Sequence, residues 1–328
     1  MITREDPTVA ENQSGQVAGV QQAADRLSSD LPVSSGVRRR EQQTGIGDEI
    51  WTLARGYGER CNRTEFASSL RERVLPKDRY LGYIAACYPV VVGFNRGLLA
   101  SLPKVDHVRD CLFLNALAKQ LQEEQYHNGL WRSMLSAFNI DHAALYRALE
   151  EYMARFGDAE LDRMTEGVLQ SLRDDLQNVA PGVFPDPVFP EPVLALYHHM
   201  WMTGSYHKIA FWEHYAGQYS MEVIIFDFVS TSFYPGIVGN PELDLGPKTT
   251  TWWAEHARQG AKPGQRSSEE RHLELAKLSL DRSQAAHRIG PQVCARAEDT
   301  MRLFTATMIC HNRDKGSFPT HMFAAGKA

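Results

Sequence analysis

Cysteine is scarce in this chain: five residues in 328 (Cys61, Cys87, Cys111, Cys294, Cys310), with no Cys-x-x-Cys pair among them. An odd, scattered set excludes a disulfide framework and gives no zinc-finger or iron–sulfur spacing. It fits a reducing compartment, so the expected location is cytoplasmic. Long apolar runs are also missing. No stretch approaches eighteen uninterrupted apolar residues, and no basic segment leads into an apolar one at the start, so no membrane partner is expected. Blocks of like charge are missing too: the densest basic run is Arg38-Arg39-Arg40, and the net charge is −5. A general nucleic-acid partner is therefore not expected. There is no glycine-rich phosphate loop and no Gly-x-Ser-x-Gly elbow, which removes the common nucleotide-binding and serine-hydrolase signatures.

What is present is helical periodicity. With 43% hydrophobic residues, the chain can bury a large single core. Residues 1–44 are rich in Gln, Ser, Asp, Glu and Gly, which predicts a flexible N-terminal tail ahead of one domain over 45–328. Residues 45–61 and 65–74 predict two short helices. Residues 78–102 are apolar nearly all round, which predicts a core helix bent at Pro89. Residues 106–139 carry Leu114, Leu117, Leu121, Met134 and Leu135 at helical spacing. Asp141 predicts the cap of the next helix, and another follows over 161–172. Residues 181–192, with five prolines, exclude regular helix. Residues 193–233 predict one long aromatic helix, or two split near Gly217. Residues 249–259 predict a short helix and 260–268 a polar linker. A helix over 269–287 capped by Ser268 and a last one over 291–310 complete an all-α domain.

Two tetrapeptides carry the chemistry: Glu124-Gln125-Tyr126-His127 and Glu269-Glu270-Arg271-His272. Each sets a carboxylate and an imidazole three residues apart on a predicted helix, so both can reach one metal ion. Chance gives roughly one Glu-x-x-His in a chain of this composition; here there are two. Glu124 continues the stripe of Leu117 and Leu121 and is expected to point inward, whereas Glu123 faces solvent. An inward Glu–His pair is either a ligand pair or a carboxylate–imidazole hydrogen bond inside a helical core. Glu269 opens its helix, where the dipole favours acids in any case, and Glu270 and Glu274 lie within the same two turns. His214, Gln218 and Glu222 repeat every four residues. Glu222 is an isolated acid in the apolar run 221–226, the residue type expected of a bridging carboxylate. His256, after Trp252 and Trp253, reads as a further imidazole ligand or as a stacked or surface histidine.

The aromatic helix 80–102, the segment Leu121 to His127 and the following Ala137-Phe138-Asn139-Ile140-Asp141 resemble the heme-oxygenase-like diiron oxidases and oxygenases. That superfamily also holds thiaminase-type and pyrroloquinoline-quinone-synthase-type proteins. The resemblance covers roughly residues 80–287. It implies a heme-oxygenase-like bundle of about seven helices and a non-heme iron-dependent oxidoreductase with Fe(II), two ions per chain, and O2 as co-substrate. In the diiron members a core helix supplies Glu-x-x-His, matched by Glu124 and His127, and the next supplies a carboxylate, matched by Glu222. The last supplies a His followed by an acid-x-x-His element, matched by His256, Glu269 and His272 when 260–268 is an insertion.

The family's first core helix also supplies a carboxylate, yet residues 88–93 here contain no acid. A metal-free enzyme of the quinone-synthase or thiaminase type is therefore the alternative that the resemblance leaves open. It further implies a small amino-acid-like or amine substrate, oriented by Tyr126, His207 or Arg132. The reactions it implies are N-oxygenation, desaturation or oxidative C–C cleavage, as in natural-product biosynthesis, with room for an external electron donor. Monomer or homodimer stays open.

Overall fold

The computed structural model describes residues 45–108, 111–174, 189–243, 245–257 and 267–313. The expected tail, residues 1–44, and most of the proline-rich connection and the polar linker lie outside them. Among the described residues the chain is all-α, with helices and no β-strand.

The first half comprises α1 (Ile46–Asn62), α2 (Glu65–Arg71), α3 (Lys77–Ala86), α4 (Tyr88–Ser101), α5 (Cys111–Ala137), α6 (His142–Arg155) and α7 (Asp158–Asp174). The second half comprises α8 (Glu191–Ser205), α9 (Phe211–Phe228), a π-helical turn (Val229–Phe233), α10 (Tyr234–Ile237) and α11 (Pro247–Glu255). The series ends with α12 (Ser268–Arg282), α13 (Gln284–Arg288) and α14 (Gly290–Arg313).

Local chemistry sets the breaks. The predicted helix 78–102 is interrupted at Cys87 because Pro89, in the first turn of α4, offers no N–H and its ring excludes a regular turn behind it. Asn139, at φ +58, closes α5: its N–H donates to the Ser136 carbonyl and the N–H of Ile140 to that of Leu135. Asp141 caps α6 as expected, its Oδ1 accepting from the N–H groups of Ala143 and Ala144.

Three expected boundaries move. The break between α8 and α9 falls at residues 206–210, and α9 runs unbroken through Gly217. A Cβ at Gly217 would lie 2.6 Å from Thr300 Oγ1, so this glycine marks a close approach of α14. Ser267, not Ser268, caps α12; its hydroxyl accepts from Glu270 N–H and Glu270 Oε2 accepts in return from Ser267 N–H. The same helix stops at Arg282, where Ser283 caps a new short turn.

The core is built around α9, which is buried on almost every side. It packs on α1, α12 and α14, with α4 and α8 behind it. The stretch Lys77–Lys104 is long and apolar enough to cross a membrane, yet 78% of its apolar window is buried within the bundle. It is apolar because other helices cover it. The α4–α8 crossing is tight: a Cβ at Gly204 would lie 2.3 Å from the Gly97 carbonyl oxygen.

Gly204→Ala is expected to cost about 1–3 kcal/mol in denaturant unfolding, because backbone cannot yield as a side chain can. A wild-type midpoint would contradict the crossing.

Burial also sets a pH dependence. His199, His214 and His311 are held at about 3 by desolvation, helped by the nearby charges of Arg296, Lys104 and Arg79 respectively. With folded values below the unfolded 6.5, they stay neutral in the fold while the unfolded chain takes up protons. The stability they confer is complete above pH 6.5 and is lost as pH falls toward 3. His311→Gln should therefore lose about 2 kcal/mol less than wild type between pH 7 and pH 5. An equal loss in both proteins would contradict this.

Candidate metal centre

Three helices and one helix end bring acids and imidazoles to a single cavity. Helical spacing on α5 places Glu124, His127 and Trp131 on one face. On α9, Glu222 follows His214 and Gln218 on a buried stripe. Trp252 of α11 and His256 just beyond it are four residues apart, and Glu269 and His272 share a face of α12. Glu124, His127, Glu222, His256 and Glu269 all line a cavity of about 70 Å³, with Val90, Val91, Phe94, Ile225 and Phe304 among its apolar walls. His272 Nε2 lies 3.7 Å from Glu222 Oε2. All six residues singled out in the sequence thus meet in one place.

The distances suit a cation. Donor atoms of Glu124, Glu222 and His272 lie within 4.8 Å of one another. His127 Nδ1 is 3.7 Å from Glu124 Oε2, and the His127 and His256 rings are 4.3 Å apart between centroids. None of these contacts is a hydrogen bond. His127 Nδ1, Glu222 Oε2 and His272 Nε2 are buried without a hydrogen-bond partner, a costly state for polar atoms in a low-dielectric interior. The remaining donors are prepared by their neighbours. Glu222 Oε1 accepts from Gln120 Nε2 at 2.9 Å, which leaves only Oε2 free. His256 Nδ1 lies 2.8 Å from the Trp252 carbonyl. A carbonyl only accepts, so Nδ1 carries the proton and Nε2 keeps its lone pair, the tautomer a metal requires.

Electrostatics agree. Burial, then the charge of Glu124, pushes the Glu222 carboxyl well above the usual range, against the Gln120 hydrogen bond. Burial raises Glu269 to about 7, with the Glu222 and Glu124 charges outweighed in part by His272. Burial and the neighbouring His127 push His256 well below its ordinary value. For His127 burial acts downward, but Glu124, Glu269 and Glu123 raise it overall. A divalent ion would relieve each of these strains at once. The residues present fit a carboxylate–histidine metal centre.

Alternatives left by the sequence resolve geometrically. Glu270 is spent on capping and Glu274 is exposed, so Glu269 is the acid that reaches the cavity. Glu123 pairs with Lys119 on the surface. His256 is both stacked, 3.8 Å from the Trp252 ring, and part of the cavity wall. Tyr126, His207 and Arg132 are exposed and do not line the cavity, so the expectation that they orient substrate is not met there. Sequence reasoning missed Gln120, though its place one turn before Glu124 within the Leu117–Leu121 stripe marked it. It also missed Trp131 and Asn95. From α4 the cavity receives Val90, Val91, Phe94 and Asn95, and no acid. The π-helical turn after α9 begins at Val229, another wall residue, so the bulge lies against the cavity.

No family model matches this chain, and no curated protein matches it. Among solved structures it is similar to a TenA homolog from Pseudomonas syringae pv. tomato str. DC3000, at 14% identity and a TM-score of 0.48. That match covers 84% of this chain and 99% of the other. A likeness of this strength leaves the chemistry of the cluster to its own geometry.

Proposed function

We propose that this chain is a non-heme iron enzyme of the heme-oxygenase-like kind, which uses O2 to oxidise a small organic substrate. The observation that carries the reading is the set of three buried donor atoms without a hydrogen bond, on His127, Glu222 and His272, at the meeting point of three carboxylates and three imidazoles. Two ferrous ions match six donors with coordination positions left for O2 and substrate. Held there, Fe(II) would supply the electrons that activate O2.

The chain's own residues do the rest. Glu124, Glu222 and His272, whose donor atoms converge, would hold one ion, and His127, His256 and Glu269 from the same cavity wall would hold the other, with Glu124 also close to His127. Gln120 holds the Glu222 carboxylate by one oxygen, and the Trp252 carbonyl holds the His256 ring. Val90, Phe94, Ile225 and Phe304 keep bulk water from the reacting atoms. N-oxygenation, desaturation and oxidative C–C cleavage are the outcomes compatible with such a site.

A second reading, a metal-free enzyme of the thiaminase or quinone-synthase type, draws on the absence of an acid from α4. A nucleophilic version would need a thiolate. The cavity's thiol, Cys87, is pushed up to about 12 by burial and stays protonated at neutral pH. That favours the iron reading over a cysteine nucleophile.

Anaerobic addition of Fe(II) at a hundredfold excess over its dissociation constant should stabilise the wild type by about 3 kcal/mol. Exposure to air should then bring a transient visible absorption band. Glu124→Ala and Glu222→Ala should each lose the metal-dependent gain while keeping a cooperative unfolding transition. Full stabilisation by iron in both variants would overturn the ligand assignment.

A further inference from the structure

One layer beyond the His127–His256 contact, the same two faces present Trp131 and Trp252, seven and four residues along from Glu124 and His256 respectively. Their rings meet edge to face, 4.7 Å between centroids at 86°. Both are at least nine-tenths buried, and both line the cavity. Neither indole Nε1–H has a hydrogen-bond partner. A buried donor left unpaired costs about 1–3 kcal/mol, and two such indoles in contact on one wall call for an acceptor that the protein does not supply.

The rest of the lining narrows the choice. Apart from the candidate ligands, the described lining residues include no Lys, Arg, Asp or Glu. Its other polar side chains are engaged. Asn95 donates to the Val91 carbonyl and accepts from Gln125, Thr307 donates to the Phe304 carbonyl, and Tyr83 donates to Met308 Sδ. Cys87 Sγ faces His311 Nε2 at 4.0 Å. The lining therefore offers donors and no counter-charge for an ammonium other than the carboxylates already committed to metal.

We infer that Trp131 and Trp252 form a substrate subsite that binds a carbonyl-type oxygen acceptor carried on an apolar body, making these two indoles the residues that set specificity. The inference rests on the proposed function for the reacting end of the cavity and gives its substrate a neutral oxygen acceptor, not an ammonium, at the indole end. A substrate enters with its acceptor toward the two indole N–H groups and its hydrocarbon among Val90, Phe94 and Phe304. Its bond to be changed then faces the acid–imidazole cluster.

The test uses cyclohexanecarboxamide, with cyclohexylmethylamine as a charged probe of the same apolar body. Each is titrated into indole-¹⁵N-labelled full-length protein, metal-free and zinc-loaded. Of the six tryptophans in the chain, two should show indole N–H resonances that move downfield with the carboxamide. One should vanish in Trp131→Phe and the other in Trp252→Phe. Each variant should bind the carboxamide about 3- to 10-fold more weakly, the loss of one hydrogen bond, and the amine unchanged.

Indole resonances that stay still under a saturating carboxamide would mean that the neighbouring ring faces already satisfy the N–H groups, which overturns the proposal. Equal losses for both probes would show packing alone, with the same consequence. Should either variant fail to fold, the wild-type titration still decides by whether two resonances move. Indole shifts without iron uptake would sink the iron reading and leave this one standing; iron uptake without indole shifts would do the reverse.

Discussion

Three carboxylates and two imidazoles line one cavity, with His272 beside Glu222 at its edge, and that charge problem governs the rest of the molecule. Taking a carboxylate out of water costs several kcal/mol, and like charges nearby add to it. Glu222 and Glu269 register this through raised proton affinity, and His127 is drawn toward the charged form by the acids around it. Side chains elsewhere in this protein resolve such conflicts by hydrogen bonding, as Arg96 does with Glu150 and Tyr197. Here the conflict is left standing, with free atoms turned toward one another. A cation is the partner that fits both the charge and the geometry.

The packing of the bundle holds that arrangement in place. Glycines at the α4–α8 crossing and at the α9–α14 contact bring backbones close enough to fix where α9 sits, and α9 carries Glu222. The layer of Trp131, Trp252 and Trp253 does the same for α5 and α11, locking the faces that carry His127 and His256. Gln120 and the Trp252 carbonyl then set individual rotamers and tautomers. Positioning therefore acts at three scales: helix, ring layer and single hydrogen bond.

Much of this was legible in the residues. The period of Leu117, Leu121 and Glu124 tells which way Glu124 points, and an acid alone in an apolar run marks Glu222. The repeated acid-x-x-His tells where to look for the third helix. What stayed hidden needed tertiary contacts. Gly217 reads as a helix break in sequence, yet it is a close-packing position that only α14 reveals. The choice between Glu269 and Glu270 depends on which serine caps α12. His256 lies across a polar linker from Glu269, and no local period connects them. Tyr126, His207 and Arg132 were plausible by type, but the turn of α5 carries Tyr126 and Arg132 to solvent, and His207 sits exposed in the break between α8 and α9. Gln120 was readable in principle, since a polar residue inside an apolar stripe seeks a partner.

The most direct test is metal quantitation on freshly purified full-length protein, before and after anaerobic reconstitution with Fe(II). The account predicts about two irons per chain after reconstitution. A protein that emerges from the same treatment without bound iron would contradict it.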